Sequence, residues 1–322
     1  SWLKSDAVII TAIGETPAHI EFFNSRKHLV DEKAGLINTL KKDGILILNA
    51  DDETVLAMKD QTRNLVTTFG FKDGVDLLAS GENIFYDDNQ IPNGVVYRVD
   101  SDGNSLPVII EKVFGRNHIY ASLSALALSY GLKWNMINAV QALKNYDISP
   151  GRMHLVKGIN SSLIIDDTYN SSPPASIAAL KTLNDVKLSG PACNVDGIAS
   201  AGGRKIAILG DMLELGKYTK EAHENIGKIA KEKTDILVVV GPRARDIKQG
   251  AIDAGMMKDS ILEFSDSVQA GEYMKSFIKD GDLILVKGSQ GMRMERTVLA
   301  LMVEPKDNEK LLVRQDEEWQ KR

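Results

Sequence analysis

The chain has 322 residues, enough for about two domains, and 43 % of them are hydrophobic, a composition of packed cores and not of disorder. Lysine and arginine number 39 against 44 aspartates and glutamates, and the resulting net charge of −5 argues against a nucleic-acid partner, which would need a basic face. The single cysteine, Cys193, excludes an intrachain disulfide and a multi-thiolate zinc site, and points to a reducing, cytoplasmic setting.

No apolar run reaches transmembrane length, so no membrane insertion is expected. The opening SWLKSDAVIITAIG lacks the parts of a signal peptide. A strand-like run starts almost at Ser1, which suggests a piece of a longer chain. Residues 7–13 predict a buried strand, 25–41 a helix, and 45–49 a strand ended by the turn signal Ala50-Asp51-Asp52. From about 64 to 113 short alternating runs between turn residues predict a small antiparallel portion. Helices are predicted at 118–130 and 134–145, the second with Ile137, Val140 and Leu143 at helical spacing.

Ser149-Pro150-Gly151-Arg152 is the expected domain boundary. Beyond it strands are predicted at 162–166, 205–209, 236–240, 261–264 and 283–286, each followed by a helical pattern. That alternation predicts an open, doubly wound parallel sheet, which takes ligands at the carboxyl ends of its strands. The helix after the first of these strands should start with Ser172 as N-cap and Pro173 at its first position, and bury Ile177, Leu180 and Leu183. Another, near 243–253, carries Ala244, Ile247 and Ala251. Residues 188–203 are small, polar and glycine-rich and predict a flexible surface loop. The charged tail from 304 predicts a solvated helix or a frayed end.

Several residues could carry chemistry. On a helix through 25–41, positions 29, 33, 36 and 40 share a face and hold Leu, Lys, Leu and Leu. A lysine buried in such a stripe would lose charge by desolvation, and a neutral amine is reactive. The alternative, which the pattern alone favours, is that Lys33 snorkels to the surface. His19 follows a strand and loop, where it could be a ligand, an acid or base, or simply a solvated ring; Glu21 beside it is equally open. Asp166 and Asp167 end a strand, a place for ribose or metal contacts and equally for helix-start capping. Asp211 and Glu214 lie in LGDMLELG, read either as a site or as a tight loop with solvated acids. Lys287 and Ser289 flank Gly288 at the end of the last strand, where a cation and a hydroxyl would suit a carboxylate or phosphate, or where the lysine is a surface residue in a turn. There is no H-E-x-x-H, no G-x-S-x-G and no G-x-x-x-x-G-K-[ST] phosphate loop.

Taken in order along the chain, these stretches resemble the Mur ligase family. TAIGETPAHIEFF, VDEKAGLI, ILILNADD, GRNHIYASLSALAL, SPGRM, IDDTYNSSP, LGDMLELG and LVKGSQGMRME each resemble a family segment. IDDTYNSSP and LGDMLELG point to the branch that joins D-alanyl-D-alanine to UDP-N-acetylmuramoyl-tripeptide in peptidoglycan synthesis. The resemblance implies an α/β chain: the later part of the family's central ATPase domain over 1–150, a complete Rossmann-like C-terminal domain over 151–304, and a charged tail over 305–322. The UDP-sugar domain and the phosphate loop would be missing, and this chain alone is then expected to be inactive.

The implied reaction is ATP-driven amide formation through an acyl phosphate, helped by positioning and by Mg2+. By resemblance His19 and Lys33 would serve the metal, Lys33 as a carbamylated lysine, and Arg152 would face the ATP phosphates. Asp167 and Asn170 would lie at the nucleotide, as would Asn117 and His118, which reverse the family's His-Asn order. Asp211, Glu214, Lys287 and Ser289 would lie near the incoming dipeptide. The full-length enzyme is expected to be a monomer. Two other readings stay open: a non-catalytic or partner-dependent relative, and a sister amide ligase of the folylpolyglutamate synthase or cyanophycin synthetase type.

Overall fold

The computed structural model describes residues 4–14, 23–89, 91–146, 148–188, 203–303, 305 and 309–320. His19, Glu21, Cys193 and nearly all of the glycine-rich 188–203 stretch lie outside the described residues. The chain divides into two compact units, one built mainly from residues up to Asp147 and one from Ile148 onward.

The first unit centres on a six-stranded sheet in simple sequence order: β1 (Ser5–Ile10), β2 (Leu40–Asn49), β3 (Leu65–Gly70), β4 (Leu77–Tyr86), β5 (Pro92–Ser101) and β6 (Asn104–Glu111). β1 to β4 pair in parallel, and β5 and β6 form an antiparallel hairpin. The expected antiparallel portion therefore starts later than residue 64, since β3 extends the parallel sheet. The hairpin turns at Asp102-Gly103, both with positive φ, the Asp-Gly signal of a tight two-residue turn. Ile45–Asn49 of β2 is buried without interruption, as a parallel strand covered on both faces must be. Helix α1 (Arg26–Ala34) covers one face, α2 (Glu53–Leu56) follows β2, and α3 (Arg116–Gly131) packs on β2 and β3. The core on the α1 side joins Val8, Ile10, Leu29, Ile37, Leu46, Leu48 and Val55.

The first unit departs from the expected elements at four points. β1 is an edge strand that buries Val8 and Ile10 but exposes Ile9, so it is not buried throughout. The helix over 25–41 ends at Ala34; Gly35–Thr39 forms a tighter helical turn and the chain is already β2 at Leu40. The face Leu29-Lys33-Leu36-Leu40 therefore does not exist: Lys33 and Leu36 are exposed, and the inward residues are Leu29, Ala34 and Ile37. In α4 (Met136–Ala142) Ile137 is exposed and no residue is fully buried, so its apolar spacing marks no core face.

The second unit holds the other six-stranded sheet, with strands β7 (His154–Lys157), β8 (Leu163–Asp167), β9 (Lys205–Gly210), β10 (Ile236–Val240), β11 (Ile261–Phe264) and β12 (Leu283–Lys287). Their spatial order is β11-β10-β9-β12-β8-β7, parallel except for β7, which the sequence reading missed. Helices α5 (Pro173–Asp185), α6 (Thr219–Lys233), α7 (Ala244–Asp253), α8 (Ser267–Phe277) and α9 (Glu295–Leu301) connect or follow the strands. The chain winds outward through β9, β10 and β11, then returns to place β12 on the other side of β9. The winding thus reverses between β9 and β12, the point where such sheets open a crevice at their strand ends.

Two glycines set the spacing of α6 and α7. A Cβ on Gly227 would collide with the backbone of Ile247, and one on Gly250 with the backbone of Glu224. On the edge strand β11, Glu263 pairs with both Arg245 (2.9 Å) and Lys248 (2.9 Å). α5 starts at Pro173 as expected, but Ser172 makes no side-chain cap bond, and Ile177 is exposed while Ser176, Ala179, Leu180 and Leu183 are buried. The tail is not frayed throughout: Leu312 and Val313 are buried, Leu312 within the sheet core, and a last helical turn spans Glu317–Gln320.

Candidate functional site

The carboxyl ends of β8, β12 and β9 lie side by side, so that Lys287 is in register with Asp167 on one side and Leu209 on the other. The Lys287 side chain is only 2 % exposed. Its Nζ donates to Asp167 Oδ2 at 2.6 Å and to the carbonyl of Asn170 at 2.9 Å. A surface lysine in a turn is thereby overturned: this cation is buried and holds the loop after β8. Asn170 is itself exposed, and its Oδ1 accepts from the N–H of Ser171.

One strand over, buried Asp211 accepts from the N–H of Ala244 at 2.7 Å, placing a negative charge at the start of α7. The reading of Asp211 as a solvated loop acid is wrong. Its carbonyl accepts from the N–H of Ser289 at 3.0 Å, and Ser289 Oγ accepts from the N–H of Leu213 at 2.8 Å. Asp211 and Ser289 thus tie the β9 and β12 loops together. Glu214, in the same loop, is exposed with φ 62.

His223, which carries no spacing signal in the sequence, anchors this loop from α6. It is fully buried; its Nδ1 donates to the carbonyl of Thr219 at 2.7 Å and its Nε2 accepts from the N–H of Met212 at 2.9 Å. Only the neutral ring can do both. Burial, the largest influence, accordingly lowers its pKa. Asp166 lies beneath the site. Its Oδ1 accepts from Thr168 Oγ1 (2.6 Å) and N–H (3.2 Å), while buried Oδ2 has no hydrogen-bond partner. Burial pushes its pKa up to about 7, against the Thr168 hydrogen bonds and with help from nearby Asp167 and Glu295. Asp166 is therefore an interior acid, not the exposed member of a carboxylate pair.

Arg152 is exposed and lays its guanidinium over the Tyr169 ring at 3.9 Å. Arg314, from the tail, reaches the same loop: it donates to the carbonyls of Thr168 (3.1 Å) and Tyr169 and to Glu295 (3.0 Å). Nothing in the sequence pattern singles out Arg314.

In the first unit, Lys33 sits exposed in the last turn of α1. Asn117 is exposed at the start of α3, and His118 is buried with its Nδ1 3.1 Å from the Tyr146 hydroxyl. A second polar centre, unread in the sequence, gathers at the ends of β1 and β2. Asp52 accepts from the N–H groups of Ile13 (2.7 Å), Gly14 (3.0 Å), Thr54 (3.0 Å) and Val55 (3.2 Å). Burial would raise its pKa, but the four donors together lower it. Arg26 binds the carbonyl of Gly14 (2.9 Å) and the hydroxyl of Thr54 (2.9 Å). Asp51 Oδ2 accepts from the N–H of Phe71 (2.7 Å) and the hydroxyl of Tyr120 (2.8 Å). Among the described residues no three His, Cys, Asp or Glu side chains gather in a way that could hold a metal ion. Nor is any described helix long and apolar enough to cross a membrane.

Comparison with known proteins adds to this geometry. Residues 1–129 match the Mur ligase middle domain, and 151–290 match the Mur ligase glutamate ligase domain. The UDP-N-acetylmuramoyl-tripeptide--D-alanyl-D-alanine ligase of Bacillus subtilis is 27 % identical over 302 residues, covering 93 % of this chain and 60 % of the relative. The Escherichia coli enzyme of the same name is 26 % identical over 290 residues, covering 88 % and 58 %. The crystal structure of MurF ligase from Thermotoga maritima in complex with ADP aligns with TM-score 0.75 at 22 % identity, over 95 % of this chain and 63 % of that one. The chain thus spans about 60 % of the length of the curated relatives it matches.

Proposed function

The chain belongs to the Mur ligase family, and from that premise we propose that it supplies part of an ATP-dependent ligase that joins D-alanyl-D-alanine to UDP-N-acetylmuramoyl-tripeptide. In this reading residues 1–150 belong to the central ATPase domain, 151–304 form the Rossmann-like domain, and the enzyme works as a cytoplasmic monomer. The observation that carries it is the gathering of Asp167, Asn170, Lys287, Asp211 and Ser289 at the strand ends where the second sheet reverses its winding.

The proposed chemistry is phosphorylation of the tripeptide's terminal carboxylate by ATP. ADP departs, the dipeptide amine attacks the acyl carbon, the C–N bond forms as the amine loses a proton to solvent, and the acyl C–O bond breaks so that inorganic phosphate leaves with that oxygen. Little covalent work falls to the protein, so positioning and charge placement dominate. The residues present suit a nucleotide: Asp167 offers a carboxylate to ribose, exposed Asn170 an amide, and Arg152 an exposed guanidinium to phosphate. Buried Lys287 orients Asp167 by pairing with its Oδ2, which leaves the carboxylate fixed before any ligand arrives. Ser289 and Asp211 hold the loops that would frame the dipeptide, with exposed Glu214 on the β9 side. Asn117 and His118 are proposed at the adenine.

Magnesium, when bound, would neutralise phosphate charge. Lys33 and His19 are proposed to serve it, with Lys33 as a carbamate formed from its neutral amine; the apolar stripe expected to favour that neutral form is not there, since Lys33 is exposed. An intact-mass shift that maps to Lys33 would support that modification.

The direct test uses the complete product of the reading frame that encodes this chain. With ATP, UDP-N-acetylmuramoyl-tripeptide and D-alanyl-D-alanine, mass spectrometry should detect the extended amide product, and Asp167→Asn should lower its yield. Product formed with glutamate and none with D-alanyl-D-alanine would reject this substrate assignment.

A further inference from the structure

The loop after β8 is held in an unusual way. Its three successive carbonyls, Thr168, Tyr169 and Asn170, all point to cationic side chains. Lys287 takes the last of them together with Asp167 Oδ2, and comes from the strand that neighbours β8. Arg314 takes the other two and comes from the far end of the chain. Arg314 is no loose surface residue. Its side chain is 5 % exposed, and Nη1 also binds Glu295, itself 1 % exposed and paired on its other oxygen with Arg293. Arg293 in turn donates to the carbonyl of Trp319, so the tail is latched at two points, one on α9 at Glu295 and one just before it at Arg293. Leu312 and Val313 enter the unit's interior just before Arg314.

We propose that Arg314 is a positioning residue: the tail around 312–319 uses its guanidinium fork to fix the backbone of Thr168 and Tyr169, and so presents Asp167 and Asn170 to the nucleotide. This rests on the nucleotide reading of Asp167 and Asn170 given above. The physical argument is geometric. A planar fork can bind two adjacent carbonyls and a carboxylate together, whereas one ammonium cannot reach all three. Carbonyls turned toward buried cations leave the outer side of the loop to the exposed Tyr169 ring and the Asn170 side chain. Without the fork, Lys287 still holds Asp167 and Asn170, but the carbonyls of Thr168 and Tyr169 lose their charge-assisted bonds.

The test uses this chain with Arg314→Gln, and Arg314→Lys as the conservative partner. Amide exchange at Thr168–Ser171 and an ADP titration followed by amide shifts are measured on each, with Asp167→Asn as the reference for direct nucleotide contact. The expected result for Arg314→Gln is exchange at 168–171 faster by roughly tenfold or more, unchanged exchange in β9 and β10, and ADP binding weakened by roughly tenfold. Arg314→Lys should recover only part of both. Unchanged exchange at 168–171 in both variants would overturn the proposal. So would faster exchange with unaltered ADP affinity, if Asp167→Asn does weaken ADP. If ADP leaves the wild-type amides unmoved, the nucleotide reading fails, and exchange still decides whether Arg314 clamps the loop. Should Arg314→Gln not fold, the Arg314→Lys exchange pattern settles the matter alone.

Discussion

Three buried or half-buried titratable residues give the protein a pH dependence whose signs can be worked out. Asp166 has a folded pKa raised to about 7 from 3.8. The folded state therefore holds a proton that the unfolded chain has lost between those values, and stability falls as pH rises through that window. Asp166→Asn, which needs no proton, should gain on the wild type at pH 8 relative to pH 5 in urea unfolding. His223 works the other way. Its folded pKa lies below its ordinary value, so its contribution is present above about pH 6.5 and is lost as pH falls through the folded pKa. His223→Gln should blunt that acid-side loss, and at neutral pH it should cost about 1–3 kcal/mol by leaving the Met212 N–H without its partner. Asp52, with its lowered pKa, stabilises above about pH 4 and loses that effect as pH falls further. Asp52→Ala removes a helix cap and a loop tie at once and should cost about 2 kcal/mol at pH 7, with the gap to wild type closing in acid.

At the scale of elements, what could be read in advance followed physical strength. The strands at 236–240 and 261–264 come out at the predicted bounds: Ile236–Val240 is a short β-branched apolar run, too short for a core helix, and Ile261–Phe264 is a four-residue edge strand interrupted only by Glu263. The apolar spacing of α1 continues past Ala34, but the backbone tightens there and then extends into β2, so spacing alone overstates the helix. β7 was missed because it is four residues long and pairs antiparallel at an edge. In the candidate site, Asp167, Lys287 and Ser289 were legible as strand-end residues. Arg314 and His223 were not, since their partners lie 146 and 11 positions away and only the fold brings them close. The α6–α7 contact offers a test at this scale. Gly227→Ala forces a methyl group into the backbone of α7, and calorimetry should show a loss of about 1–3 kcal/mol. Ser172→Ala, by contrast, removes a hydroxyl that caps nothing, and should change stability by less than about 0.5 kcal/mol.

Over the whole molecule, the net charge of −5 coexists with a site proposed for anionic substrates. In that reading exposed Arg152 is the local cation, acting within a few ångströms and needing no basic surface, while the charge of Lys287 is balanced by Asp167. The sequence contains no G-x-x-x-x-G-K-[ST] stretch, so this 322-residue chain with ATP and Mg2+ should release no phosphate above background in a colorimetric assay. Other charges lie on the outer strands of the two sheets. β1 carries Asp6, paired with Lys41, and a break in register between Ser5 and Ala7. β11 carries Glu263 with its two cations. A sheet margin with fixed ion pairs and an irregular ladder is a poor template for a neighbouring strand. Concentrated solutions of this chain should accordingly resist fibrillar growth, and neutralising Glu263 together with Asp6 is the change that would open those margins to self-pairing.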